Sequence, residues 1–170
     1  MEVNPALRMR IRRAIPTDIP ALIALEKQAA TAAHWSPEQY EAAFSSEAPF
    51  RAVLVVEGSS VEDSPIEDSR VKDARVQGFI VGRAVSDDWE IENIAVEGAA
   101  RRRGLGTRLL EEFIDVARAR GAQSVFLEVR ESNIAARRLY EKYAFVETGR
   151  RKRYYREPEE DAIVYRLEFA

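Results

Sequence analysis

The 170-residue chain has no cysteine. Disulfides, thiolate metal sites and a cysteine nucleophile are therefore excluded. That lack fits a reducing compartment, and the expected location is the cytoplasm. There is one histidine, His34, so a site built from several imidazoles is excluded and no metal is expected. No apolar run approaches the roughly 20 residues of a membrane span. The opening MEVNPALRMRIRR lacks the apolar core of a secretory signal, and no membrane contact is expected. The formal net charge is -3, which gives no overall pull toward nucleic acid or anionic lipid. The hydrophobic share of 46% and charged share of 32% are those of an ordinary globular protein. The length suits one domain, residues 1–170, with a core large enough to stand alone.

The order of elements follows from periodicity. RMRIRRA (Arg8 to Ala14) alternates as a strand does. PTDIPALIALEKQAA then reads as a helix capped by Thr17 or Asp18, with Ile19, Leu22, Ile23 and Leu25 on one face. SPEQYEAAF opens with a capping box, Ser36 to Gln39, and Pro37 at the first helical position. RAVLVVE (Arg51 to Glu57) and VQGFIVGRAV read as paired strands. Between them Gly58 to Ala74 is polar and aperiodic, a mobile loop. WEIENIAV (Trp89 to Val96) ends almost wholly apolar, as a central strand would.

A helix rich in leucine follows and stops at Arg120-Gly121. SVFLEV is a strand, and Glu90 to Val129 forms a right-handed strand–helix–strand crossover with parallel strands. NIAARRLYEKY is a helix with Ile134, Leu139 and Tyr143 as core contacts. FVETGRRKRYY and AIVYRLEF close the chain as a hairpin. The sum is an α/β fold (α+β in some schemes) with a mixed sheet and helices on both faces.

One stretch breaks a local rule. RRRGLGTRLLEEF puts Arg101, Arg102 and Arg103 at the start of a helix whose Leu105, Leu109, Leu110 and Phe113 form its apolar face. A helix N-terminus is already positive, so cations there are unfavourable by a few tenths to about 1 kcal/mol each. They make sense if an anion sits on the free amides, and Gly104 and Gly106 let a ligand approach the backbone. The alternative is a solvated basic turn. The P-loop pattern is absent. The dinucleotide pattern lacks its third glycine, and EGAARRR intervenes between Val96 and Gly104.

The turn resembles that of the GNAT superfamily of acetyl-CoA N-acyltransferases: arginine or glutamine, two residues, glycine, any residue, then glycine or alanine. IAV before it, and LEVRESN and AARRLYEKYAF after it, are similar to the ribosomal-protein-alanine N-acetyltransferase branch. The resemblance runs from about Trp89 to Tyr155, with weaker traces at HWS and EDAI. It implies a GNAT fold with one central sheet of about six to seven strands. It also implies acetyl-CoA as cosubstrate, with the pyrophosphate on the turn: Arg101, Arg102, Arg103, Gly104, Leu105, Gly106 and Thr107. The pantetheine arm would lie along Ile94, Ala95 and Val96, where a backbone N–H could polarise the acetyl carbonyl.

By the same resemblance Glu128 is the general base, Tyr140 protonates the departing thiolate, and Asn133 contacts CoA. Glu128 shares a strand face with Phe126, which would leave its carboxylate partly desolvated. Glu92, on the face of Glu90, is a second base candidate. Trp35, Tyr154 and Tyr155 would line the acceptor groove. Each has a plainer reading as well: strand end, helix cap, core ring or hairpin packing. The implied acceptor is a protein N-terminal α-amine, with a ribosomal protein as the branch's own case, although His34 stands where that branch has proline. A small-molecule amine, a lysine, or a non-catalytic CoA- or peptide-binding module remain as alternatives. Nucleic acid is not expected as a partner despite the basic GRRKRYYR. A monomer or weak homodimer is expected.

Overall fold

The computed structural model describes residues 9–29, 33–47, 49–58 and 75–170. The loop expected over Gly58 to Ala74 lies, apart from Gly58, outside the described residues. Seven strands form one mixed sheet: β1 (Arg10–Arg13), β2 (Arg51–Gly58), β3 (Arg75–Val85), β4 (Asp88–Val96), β5 (Ser124–Arg130), β6 (Val146–Arg156) and β7 (Glu159–Glu168). Their order is β1-β2-β3-β4-β5-β7-β6. Only β4 and β5 pair in parallel, as a strand–helix–strand crossover requires.

The helices are α1 (Ile19–Gln28), α2 (Pro37–Ala43), α3 (Leu105–Ala119) and α4 (Ile134–Lys142). Strand alternation sends side chains to two cores. Val53, Val55, Phe79 and Val81 pack under Leu22, Leu25 and Tyr40 of α1 and α2. Leu54, Val56 and Ile80 pack on the other face under Leu109, Leu110 and Phe113 of α3. Each such fully buried side chain contributes about 1.5–3 kcal/mol of transfer free energy.

Local chemistry sets most element ends. The Ser36 hydroxyl accepts from the Gln39 N–H, and the Gln39 side chain accepts from the Ser36 N–H, closing the expected capping box. Two expectations need correction. Asp18 stands at the α1 cap position but makes no side-chain cap bond there. Its carboxylate instead takes the Arg12 guanidinium at 2.7 and 2.9 Å and the Ile15 N–H at 2.8 Å, because β1 delivers a full cation to it. Ile134 is 48% exposed and no core contact. Its place in the first turn of α4 points away from the sheet, and Tyr140 is the residue of that helix that enters the core, with Leu139 and Tyr143 packed partly against it.

Candidate active site

The site begins where two strands part. β4 and β5 pair from Asp88–Ser124 to Ile91–Leu127 and then stop. β3 continues to hold β4 as far as Val96, and β7 holds β5 as far as Arg130. A bulge in β4 accompanies the parting: Val81 faces Asn93 and Gly82 faces Ile91, leaving Glu92 as the extra residue. The bulge reverses the alternation. Trp89 and Ile91 lie in the α3 core, whereas Ala95 lies in the α1–α2 core. On the partner strand, Gly82 is required by close approach. A Cβ there would stand 2.2 Å from the Phe113 ring and 2.6 Å from the Glu90 carbonyl.

The gap between the parted strands is a cavity of about 590 Å³. Ile94, Ala95 and Val96 line its β4 side, and Glu128 its β5 side. Asn133 and Tyr140 reach it from α4. The arginine turn closes one end through Arg101, Arg102, Gly104, Leu105, Gly106 and Thr107. Arg103 of the expected set is not among the residues that line it.

The turn is built from left-handed backbone. Arg102 has φ 64° and Gly104, the N-cap of α3, has φ 75°. Arg108 N–H closes the first helical bond onto the Gly104 carbonyl at 3.0 Å. The amides of residues 102–107 find no acceptor among the described residues. Arg101 reaches back toward the Val96 carbonyl at 3.4 Å. Free amides, a positive helix end and two arginines lining one cavity are the chemistry of a phosphate or pyrophosphate seat. Above Gly106 there is room: an added Cβ would come no closer than 3.8 Å to Leu139 and Val96.

A second cavity of about 360 Å³ opens on the α2 and β6 side. Trp35, Tyr154, Tyr155 and Glu90 line it. The two cavities share Ala33, Ile91, Glu92, Glu128 and Tyr155. Glu128 therefore faces both.

Glu128 shares its strand face with Phe126 as expected, but its carboxylate is not in an apolar pocket. It pairs with Arg151 of β6 at 2.5 Å. The same carboxylate and then partial burial push the Tyr154 phenol up. Burial and then Glu128 push Tyr155 up to about 12. Tyr140 is 4% exposed, and burial pushes its phenol well up, which keeps it a neutral donor. Asn133 caps α4 by accepting the Ala136 N–H on its Oδ1 at 3.2 Å, leaving its amide NH₂ for the cavity. Glu92 is held by Arg51 at 2.9 Å and by Arg83 at 3.5 Å, and Glu90 by Arg83 at 2.8 Å. The basic run of β6 is answered in kind: Arg150 pairs with Glu131 and Asp161, and Arg153 with Glu159.

Sequence reasoning missed a buried polar cluster beside the gap. Glu26 of α1 accepts from the Trp35 N–H, from the Tyr40 hydroxyl and from Asn93 Nδ2. The signal was there: Glu26 falls one residue after Leu25 and four after Leu22, on the apolar side of α1. Arg51, Arg83 and Arg151 were also missed, since only the folded sheet brings them to these carboxylates. Among the described residues no group of His, Cys, Asp or Glu is arranged to hold a metal ion, and no helix is long and apolar enough to cross a membrane.

Comparison with known proteins agrees with this geometry. The model of the acetyltransferase (GNAT) family matches residues 28–145. The [ribosomal protein bS18]-alanine N-acetyltransferase of Salmonella typhimurium is 44% identical over 91 residues, covering 52% of this chain and 62% of that relative. The N-alpha-acetyltransferase RimI of Mycobacterium tuberculosis is 42% identical over 86 residues, covering 51% of this chain and 52% of that relative. The aligned stretch thus spans less than two thirds of either. The crystal structure of the ribosomal-protein-S18-alanine N-acetyltransferase from Escherichia coli superposes with a TM-score of 0.74 at 29% identity, covering 95% of this chain and 94% of that one.

Proposed function

The chain belongs to the acetyltransferase (GNAT) family, and on that premise we propose that it moves an acetyl group from acetyl-CoA to the N-terminal α-amine of a protein. A ribosomal protein is the proposed acceptor, from the name of the relative at 44% identity. The whole chain, residues 1–170, acts as one domain in the cytoplasm, as a monomer or weak homodimer. The observation that carries the reading is the meeting of two cavities at Glu128, one of them ending in a turn of unpaired amides.

Each group has a task. The amides of residues 102–107, with Arg101 and Arg102, hold the pyrophosphate. The free edge of Ile94 to Val96 takes the pantetheine arm as an added strand. Acetyl-CoA, once bound, supplies the thioester carbonyl. A backbone N–H of that edge polarises it. The acceptor enters past Trp35, Tyr154 and Tyr155.

The acceptor must lose a proton before it attacks. At pH 7 deprotonation costs roughly 1 kcal/mol for an α-amine and roughly 4–5 kcal/mol for a lysine. An α-amine therefore asks less of the base. Glu128 takes that proton, directly or through a water. Tyr140 stands in the first cavity and donates to the leaving sulfur. A phenol near 10 opposes full transfer to a thiolate near 8.5 by about 2 kcal/mol, and burial of Tyr140 raises that further. Tyr140 therefore works as a hydrogen-bond donor or relay rather than as a phenolate.

Calorimetry with acetyl-CoA, followed by thiol release with a panel of free N-terminal peptides, tests this. Binding plus release dependent on a free α-amine is expected. No binding of acetyl-CoA would remove the reading.

A further inference from the structure

Glu26 does not touch either cavity, yet it is 3% exposed in the middle of the molecule. A buried carboxylate costs free energy that a leucine in the same place would not. Every other position on that side of α1, Leu22 and Leu25, is apolar. Polar groups broken into a core without local benefit mark a task elsewhere. The partners show which task. One carboxylate oxygen accepts the backbone N–H of Trp35. The other accepts Asn93 Nδ2 at 2.9 Å and the Tyr40 hydroxyl. Asn93 Nδ2 also donates to the Ala33 carbonyl at 3.1 Å.

The two ends of this clasp are the two sides of the acceptor entrance. Asn93 is the residue after the β4 bulge and lines the first cavity; Ala33 lines both cavities; Trp35 lines the second. The Trp35 ring then packs against Tyr40, with centroids 5.2 Å apart and the planes tilted by 50°. No other hydrogen bond among the described residues ties the backbone of residues 33–35 to the sheet.

We propose that Glu26 is a positioning residue for the acceptor, clasping residues 33–35 to the bulged strand so that Ala33 and Trp35 stand at the width an incoming N-terminus needs. The proposal rests on the peptide-acceptor reading above. Glu26 itself lines neither cavity. It acts on where the amine arrives, not on how acetyl-CoA is held.

Glu26→Met keeps the volume and removes the acceptors; Glu26→Gln keeps an acceptor for the Trp35 N–H but turns an NH₂ toward Asn93 Nδ2, so it cuts only the strand end of the clasp. Glu26→Met should raise the peptide KM by about tenfold or more, with acetyl-CoA affinity within about twofold of the parent and the KM of Glu26→Gln between the two. If Glu26→Met does not fold, Asn93→Ala cuts the same clasp from the strand side and should give the same KM effect. Amide hydrogen exchange gives a readout independent of turnover: the Trp35 N–H should exchange faster in Glu26→Met but not in Glu26→Gln, with β3 and β4 unchanged. An unchanged KM in a folded variant, or a parallel loss of acetyl-CoA affinity, overturns the proposal. Unaltered Trp35 exchange overturns it too. A parent protein that transfers to no peptide overturns the acceptor reading instead, and the exchange result still decides the clasp.

Discussion

Glu128 and Tyr140 stand on different elements and face the same cavity, one carboxylate paired with Arg151 and one buried phenol. Glu128→Gln and Tyr140→Phe should each lower turnover by roughly 10²-fold or more while acetyl-CoA still binds; steady-state rates with calorimetry check this. Glu26 gives a prediction about stability. Burial, the largest influence on it, raises its carboxyl above the ordinary 4.5 despite three hydrogen bonds. The folded state therefore holds its proton more tightly than the unfolded chain does. Stability from this group is complete at pH below 4.5 and is lost as pH rises through the raised value. The parent's melting temperature relative to Glu26→Met should therefore rise as pH falls from 7 toward 4; thermal melts across that range read it. At this scale Glu128 and Tyr140 are candidates from sequence only through the resemblance of their local motifs to a known family. Glu26 could not be named, since its partners Trp35, Tyr40 and Asn93 come from three separate segments.

The elements place these residues through two backbone features, the turn before α3 and the bulge in β4. Gly106→Val should lower acetyl-CoA affinity by about tenfold or more, as a branched side chain fills space that the cavity uses. Arg103→Ala should leave it nearly unchanged, because Arg103 does not line the cavity. Calorimetry compares the two. Gly82→Ala should cost about 2 kcal/mol or more by overpacking against Phe113 and the Glu90 carbonyl, read as a lower denaturation midpoint. Helix and strand identities were readable because their periods are strong, as in Leu105, Leu109, Leu110 and Phe113. The bulge was written more faintly, in the step of three between Ile91 and Ile94 within an otherwise alternating strand. The Asp18 cap was misread because the cation that claims its carboxylate, Arg12, lies on the preceding strand.

Across the whole molecule the sheet opens like a V between β4 and β5, with the arginine turn at one end and a second cavity on the other side. The mixed sheet, the helices on both faces and the parallel β4–β5 pair were legible from element order. The insertion of β7 between β5 and β6 was not, because a hairpin can add by either strand and only tertiary pairing chooses. The central claim is transfer to an α-amine where the cavities meet. It is tested most directly by incubating the protein with acetyl-CoA and a peptide that carries both a free N-terminus and an internal lysine, then locating the acetyl group by mass spectrometry. The account predicts one acetyl group on the N-terminal amine, matched by one free thiol released. Acetylation of the lysine alone, or acetyl-CoA binding with no transfer, would contradict it.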